Sequence, residues 1–292
     1  MHVLVQAIIF GVLTGGVYAL MASGQTLIFG VMKVVNLAQG AFVILAAYLT
    51  YSLFTSFGID PFLSILITTP ALFGLGVAVH RVVLRPLRHE DIGQLSLLVT
   101  FAVALGIEGA LSVGYETTYR SVQPGYENLG WEIAGYQFNA VRVAAFGLSV
   151  AMLVALYLVL ERTRLGMAIR AVVQNPTSAR LLGVESTKVA ALGFGLGAAT
   201  AAAAGSVYGL LYPFNSGSHY DLISRLLTIV VLGGMGSVGG AVVAAMIMGV
   251  ASSVVAATAS PIWSNFTFFV VLLAVLLIRP RGLFGAQARG AL

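Results

Sequence analysis

The sequence predicts an all-α polytopic membrane helix bundle, and three observations carry that expectation. Of 292 residues, 59% are hydrophobic and only 9% are charged, against about 25% charged in a typical soluble domain. Such a chain cannot cover a water-facing surface, and a mean hydropathy of +0.98 says the same. Apolar stretches of roughly bilayer-spanning length recur along the whole chain, with no barrel-like alternation. Backbone groups in lipid must be bonded internally, so helix is the expected state. At about 20 apolar residues per crossing, the length accommodates roughly eight to ten transmembrane segments, read here as a single domain over residues 1–292.

The elements follow in order. Residues 3–22 form an apolar run without a basic flank, longer than the apolar region of a cleavable signal, and read as a helix that stays in the protein. Further spans are expected near 37–56, 62–84, 95–115, 142–160, 189–212, 241–258 and 262–278. In the last of these the uninterrupted apolar core, Phe266 to Ile278, is short. Leu27–Met32 and Leu226–Leu232 are too short to span cleanly, and each runs into a break: "KVVNLAQG" at 33–40 and "GGMGSVGG" at 233–240. Both are read as broken or re-entrant segments. At an offset of 200 residues, Gly40-Ala41-Phe42-Val43 aligns with Gly240-Ala241-Val242-Val243. Discontinuous segments at matching places in two halves are a sequence pointer to a transporter's central site.

Basic residues set the orientation. The 81–94 loop holds Arg81, Arg85 and Arg88, and the 161–188 loop holds Arg162, Arg164, Arg170, Arg180 and Lys188. The tail adds Arg279, Arg281 and Arg289, whereas 116–141 sets Arg120 against Glu116, Glu127 and Glu132. The positive-inside rule places the first three in the cytoplasm and the acidic loop outside. For the tail to finish inside, 213–278 must cross three times, so 223–240 counts as a broken crossing. The side of the N-terminus stays open.

Several function classes fall away. With no cysteine, thiolate metal sites, disulfides and cysteine nucleophiles are excluded. No phosphate-cradling G-x-x-x-x-G-K-[S/T] loop occurs, so the chain carries no such ATPase site of its own. The four histidines are scattered and no metal motif, cofactor motif or catalytic constellation is visible. Nucleic acid is not an expected partner, because the excess charge of +5 sits in loops that orient the chain in lipid.

The loop 161–188 is the most informative stretch. Leu165, Ile169, Val172 and Val173 recur at helical spacing between arginines. Asn175 suits an N-cap, Pro176 the first helical position and Gly183 the position just past a helix end. These define a rigid two-turn helix over 176–182 with Ala179, Leu181 and Leu182 as its apolar residues. The rival reading is an amphipathic helix lying on lipid headgroups.

Among residues near the breaks, Asn36 and Gln39 lie three apart and share one helical face. Neutral amides suit either a hydrated path or packing glue between helices. Ser237 and Gly239 mark the second break. Glu108 is the acid inside a confident span, where a charge costs at least ~2.5–3.5 kcal/mol at the centre and needs a pore, a partner or a proton. It suits either the solute route or a helix–helix hydrogen bond. These five residues form the candidate translocation path. Lys33 reads as an orientation charge if its segment ends at the cytoplasmic face. Tyr18, Tyr48, Tyr51, Tyr208 and Tyr212 read mostly as an interfacial belt, and Gly193, Gly195, Gly197 and Gly205 as places of close helix approach.

Five pieces in order resemble a known family: "VNLAQGAF" at 35–42, "RPLR" at 85–88, "RLGMAIRAVVQNPTSARLLGV" at 164–184, "VLGGMGSVGGAVVAAMIMG" at 231–249 and "RPRGLFG" at 279–285. The chain is similar to permease subunits of the branched-chain amino acid ABC importers. That resemblance implies a multi-pass protein of the bacterial inner membrane, paired with a second homologous permease and two cytoplasmic ATPase subunits. A periplasmic solute-binding protein would deliver the solute. It also implies that the ATPase activity resides in the partners, and that Asn175 to Val184 docks in an ATPase groove. The solute would be a branched-chain or related small amino acid; urea, amides, and aromatic or dicarboxylic acids are alternatives within the family. An ion-coupled secondary transporter and a membrane scaffold are the readings outside it.

Overall fold

The computed structural model describes residues 2–87, 92–127, 129–133, 135–279 and 282–284. Arg88, Arg281 and Arg289 of the basic loops lie outside the described residues. Eleven α-helices are present among those described: α1 His2–Met32, α2 Gln39–Phe57, α3 Pro61–Val79, α4 Ile92–Tyr115, α5 Ala140–Arg162, α6 Arg164–Gln174, α7 Pro176–Leu181, α8 Ser186–Leu211, α9 His219–Gly233, α10 Val238–Thr258 and α11 Pro261–Ile278. Eight of the helical segments are long and apolar enough to cross a membrane. The chain is a multi-pass membrane helix bundle.

Contacts between loops sort the helix ends into two groups. At one end, Lys33 and His80 share a cavity wall with Arg85, Arg180 and Ser186. At the other, Gln6 bonds to Gln137, Tyr126 donates to Asp60 at 2.8 Å, and Arg120 pairs through its backbone with Phe214. The arginine-rich loops gather at the first end, which the positive-inside rule makes the cytoplasmic one. The chain therefore starts at the outer end. Burial and the neighbouring Asp60 carboxylate push the Tyr126 phenol well above its ordinary range.

The first helix departs from the sequence expectation. Leu27–Met32 is not a separate short piece, because α1 continues unbroken through Ser23, Gly24 and Gln25 to Met32. At 1.5 Å per residue its 31 residues extend about 46 Å. The small and polar residues that read as an interruption are packing positions instead. Ser23 returns its hydroxyl to the Leu20 carbonyl, and Gly24 lies against Thr200 and Gly197 of α8. The break comes later, at Lys33, whose φ of +57° ends the helix and whose N–H closes on Phe29 O at 2.8 Å. Residues 34–38 are non-helical before α2 starts at Gln39.

The second break is where the sequence placed it. The 15 residues of α9 extend only about 22 Å, short of the ~30 Å hydrocarbon core. Glycines 234 and 236 then turn the chain with φ near +90° before Ser237 caps α10. Element boundaries recur at the 200-residue offset. Helices end at Met32 and Gly233, restart at Gln39 and Val238, and end again at Phe57 and Thr258. Both α3 and α11 then begin with proline, Pro61 and Pro261, behind capping residues Asp60 and Ser260.

Two further findings were not expected. Strands β1 Gly130–Ile133 and β2 Tyr136–Asn139 form an antiparallel hairpin at the outer end. Tyr18 and Tyr48 are not interfacial, since both are fully buried within the bundle, Tyr48 against Phe214 and Tyr115. The glycines of α8 do serve close approach. Gly197 meets Ile28 and the Gly24 carbonyl, and Gly205 meets the Val43 carbonyl. Small residues permit such backbone contact, which drives helix association in lipid. Four hydroxyls reinforce it: Thr50 donates to Ser206 at 2.8 Å, Ser64 to Thr50 at 3.1 Å, and Thr68 lies 3.0 Å from Ser206.

Candidate coupling helix and translocation path

Helix α7 is built as its sequence suggests. The Asn175 side chain accepts hydrogen bonds from Thr177 N and Ser178 N, each at 3.0 Å, supplying two orphan amides at the helix start. Pro176 takes the first position and Gly183, with φ +82°, reverses the chain. Val184 N closes on the Ala179 carbonyl at 3.0 Å. Helix and cap end at Leu181 and Leu182, within a residue of the expected boundary.

The two faces of α7 differ sharply. Ala179 is buried in a satellite core with Leu27 and Val31 of α1, Leu156 of α5, Ile169 and Val172 of α6, and Val189 of α8. Leu181 and Leu182 are 84% and 83% exposed. One face thus anchors α7 to α6 and α8, whose shared cluster extends to α1 and α5, while two large apolar side chains are left uncovered on the other face. Arg170 fastens α6 to the end of α5, bonding Glu161 at 2.9 Å and the Leu160 carbonyl.

The path candidates fall in three places rather than one. Asn36 and Gln39 are together and fully buried. The Asn36 amide donates to Gln39 Oε1 at 3.3 Å and its oxygen accepts from Ala38 N at 3.1 Å, while Gln39 donates to Gly197 O at 3.1 Å. They hold the first break against α8. Ser237 caps α10 by accepting from Gly240 N at 3.1 Å. Gly239 lines a cavity of about 570 Å³ at the cytoplasmic end with Gly30, Gly236 and Arg170. Glu108 stands elsewhere, on α4. Its carboxylate accepts from the Tyr220 hydroxyl at 2.9 Å and lies 3.8 Å from His219 Nε2, which joins α4 to the start of α9. Lys33 is exposed at the cytoplasmic end.

Sequence reasoning passed over Arg225. This arginine lies on the broken helix α9 and donates to Tyr18 Oη at 2.6 Å, Asp221 Oδ2 at 2.7 Å and Asn265 Oδ1 at 2.5 Å. Tyr18 is near the middle of α1, so a charged cluster joins α1, α9 and α11 there, with Tyr18 buried and Asp221 and Asn265 exposed. The signal was present as Asp221 and Arg225 one turn apart in "HYDLISRLL", between two segments scored for hydropathy. Among the described residues no group of three or more His, Asp or Glu side chains is placed to hold a metal.

Comparison with known proteins adds to this geometry. The family described as branched-chain amino acid transport system / permease component matches residues 7–276. The high-affinity branched-chain amino acid transport system permease protein BraD of Pseudomonas aeruginosa is 28% identical, over 96% of this chain and 95% of that protein. LivH of Escherichia coli, of the same description, is 27% identical over 96% and 95%. A probable branched-chain amino acid transport permease protein LivH of Methanocaldococcus jannaschii is 26% identical over 92% and 88%. Among solved structures, PsaBC from Streptococcus pneumoniae in complex with Fab aligns with a TM-score of 0.45 and 12% identity, over 96% and 91%.

Proposed function

The chain belongs to the branched-chain amino acid transport permease family, and from that premise we propose that it is a membrane subunit of an ATP-binding-cassette importer for branched-chain or related small amino acids. The observation that carries this reading is α7. A capped helix, anchored through the cluster around Ala179, leaves Leu181 and Leu182 uncovered. Exposed large leucines at the tip of a rigid knob favour a protein groove as their destination, because so short a helix binds a bilayer weakly and a loose loop would absorb motion.

In this reading two cytoplasmic ATPase subunits receive α7 and its counterpart on a second permease, and a solute-binding protein docks at the outer end. ATP-driven closure of the ATPases pushes α7. The satellite core passes that displacement through α6 and α8, which pack on α7, to α1 and α5. The chain itself performs no covalent chemistry, and hydrolysis belongs to the partners. The cytoplasmic membrane is the expected location.

The test is reconstitution in liposomes. The chain alone is expected to show neither ATP hydrolysis nor leucine uptake, and uptake appears when the second permease, ATPases and binding protein are added with ATP. Proton- or sodium-driven uptake by the isolated chain would overturn the proposal.

A further inference from the structure

We propose that the cavity around Arg225 receives the carboxylate of the solute in the state open to the outside, an inference that rests on the importer reading. The cavity measures about 430 Å³ and is lined by Tyr18, Tyr208, Tyr212, Ser253 and Asn265 together with Arg225. That volume falls within the ~300–1,000 Å³ of small-molecule sites. Pro213, just after α8, and Pro261, the first residue of α11, belong to its wall, so it reaches the outer end. Tyr18, near the middle of α1, marks its depth. The cavity therefore leads from the outer end to a fixed, partly buried positive charge beside the middle of α1.

Arg225 is held for binding rather than for packing. Its side chain is 21% exposed, and Phe268 lies under the guanidinium at 5.5 Å. Hydrogen bonds to Tyr18, Asp221 and Asn265 fix the plane of the group. Three of the five guanidinium N–H groups are thereby used, while Nε–H is buried and has no protein partner. Packing does not require such a cluster, since a partly exposed ion pair contributes little stability. An ionisable residue inside a membrane bundle is a functional candidate on energetic grounds. With both Nη2 hydrogens engaged and Nε–H buried, one Nη1–H is left for a charge-assisted hydrogen bond to a carboxylate. Asp221, on the same helix and 55% exposed, keeps the pair neutral, so the site releases a carboxylate that a lone buried cation would trap.

The test uses the assembled importer without its binding protein. Because this chain has no cysteine, Ser253→Cys places a single thiol in it at the cavity wall, and its labelling by a polar thiol reagent reports occupancy. Leucine and 4-methylpentanoate, which carries the carboxylate without the amine, are expected to slow labelling roughly tenfold at ten times their dissociation constants. The amine 3-methylbutylamine is expected not to. Adding Arg225→Gln abolishes protection, and Arg225→Lys restores part of it. No protection, protection by the amine equal to that by the carboxylate, or undiminished protection in Arg225→Gln would each overturn the assignment. The Ser253→Cys parent decides the question even if Arg225→Gln fails to assemble. Leucine uptake by the complete importer, measured in parallel, tests the transport reading separately: uptake without protection refutes only the carboxylate site.

Discussion

The side-chain amide of Gln39, in the first turn of α2, donates a 3.1 Å hydrogen bond to the carbonyl of Gly197 in α8. The bond ties the start of α2, just after the first break, to the most enclosed helix of the bundle. Non-helical backbone inside a membrane protein persists only where protein or water satisfies it. Here Asn36 and Gln39 do so.

Gln39→Ala removes that donor and also the acceptor of the Asn36 amide, and the buried N–H left unpaired on Asn36 costs about 1–3 kcal/mol. Thermal unfolding in detergent is expected to shift down by a few degrees, with Gln39→Glu no better. An unchanged midpoint would show that the amide does not hold the break.

Accessibility should divide the path candidates. Gly239 has open space around it and borders the cytoplasmic cavity, whereas Asn36 and Gln39 are fully buried. In the nucleotide-free importer, Gly239→Cys is expected to react readily with a polar thiol reagent and Gln39→Cys to resist it. Equal rates would mean that water reaches the first break in the resting state.

Glycines in this bundle are not equivalent. A Cβ on Gly205 meets the Val43 carbonyl, while one on Gly106 meets nothing within 4 Å. Gly205→Ala is expected to cost about 1–3 kcal/mol through overpacking and to lower the yield of folded protein; Gly106→Ala should be neutral. Similar effects of the two would remove the close α2–α8 approach from the account.

What the sequence disclosed follows the range of the interactions involved. The α7 boundaries were legible because Asn175, Pro176 and Gly183 act on backbone within three residues of themselves. The spans were legible because hydropathy acts through the bilayer, a uniform solvent. The continuation of α1 was not, since Ser23-Gly24-Gln25 looks like an interruption until Gly24 is seen against α8. Tyr18 looked interfacial for the same reason: its hydroxyl is matched by Arg225, distant in sequence. Arg225 itself escaped because the short apolar piece in the sequence begins at Leu226, one residue beyond it, whereas α9 starts at His219.

Loss of the cap should uncouple the importer without disrupting its membrane core. Asn175→Ala frees the amides of Thr177 and Ser178 and costs about 0.5–2 kcal/mol locally. Uptake is expected to fall while insertion of the chain is retained, and Asn175→Ser or Asn175→Asp should recover most of it. Equal uptake by Asn175→Ala and wild type would mean that the rigidity of α7 is dispensable.

The central claim is that α7 docks in an ATPase groove through Leu181 and Leu182, and Leu182→Glu tests it most directly. A fully buried leucine contributes about 1.5–3 kcal/mol, roughly a tenfold or greater change in affinity, and an unpaired carboxylate in the same groove weakens docking further. Co-purification of the ATPase subunits is measured for wild type, Leu182→Glu and a control at the outer end, Glu132→Lys. The account predicts that Leu182→Glu loses the ATPases and ATP-driven uptake while remaining inserted, and that Glu132→Lys keeps its ATPases. Full ATPase association together with full uptake in Leu182→Glu would contradict it.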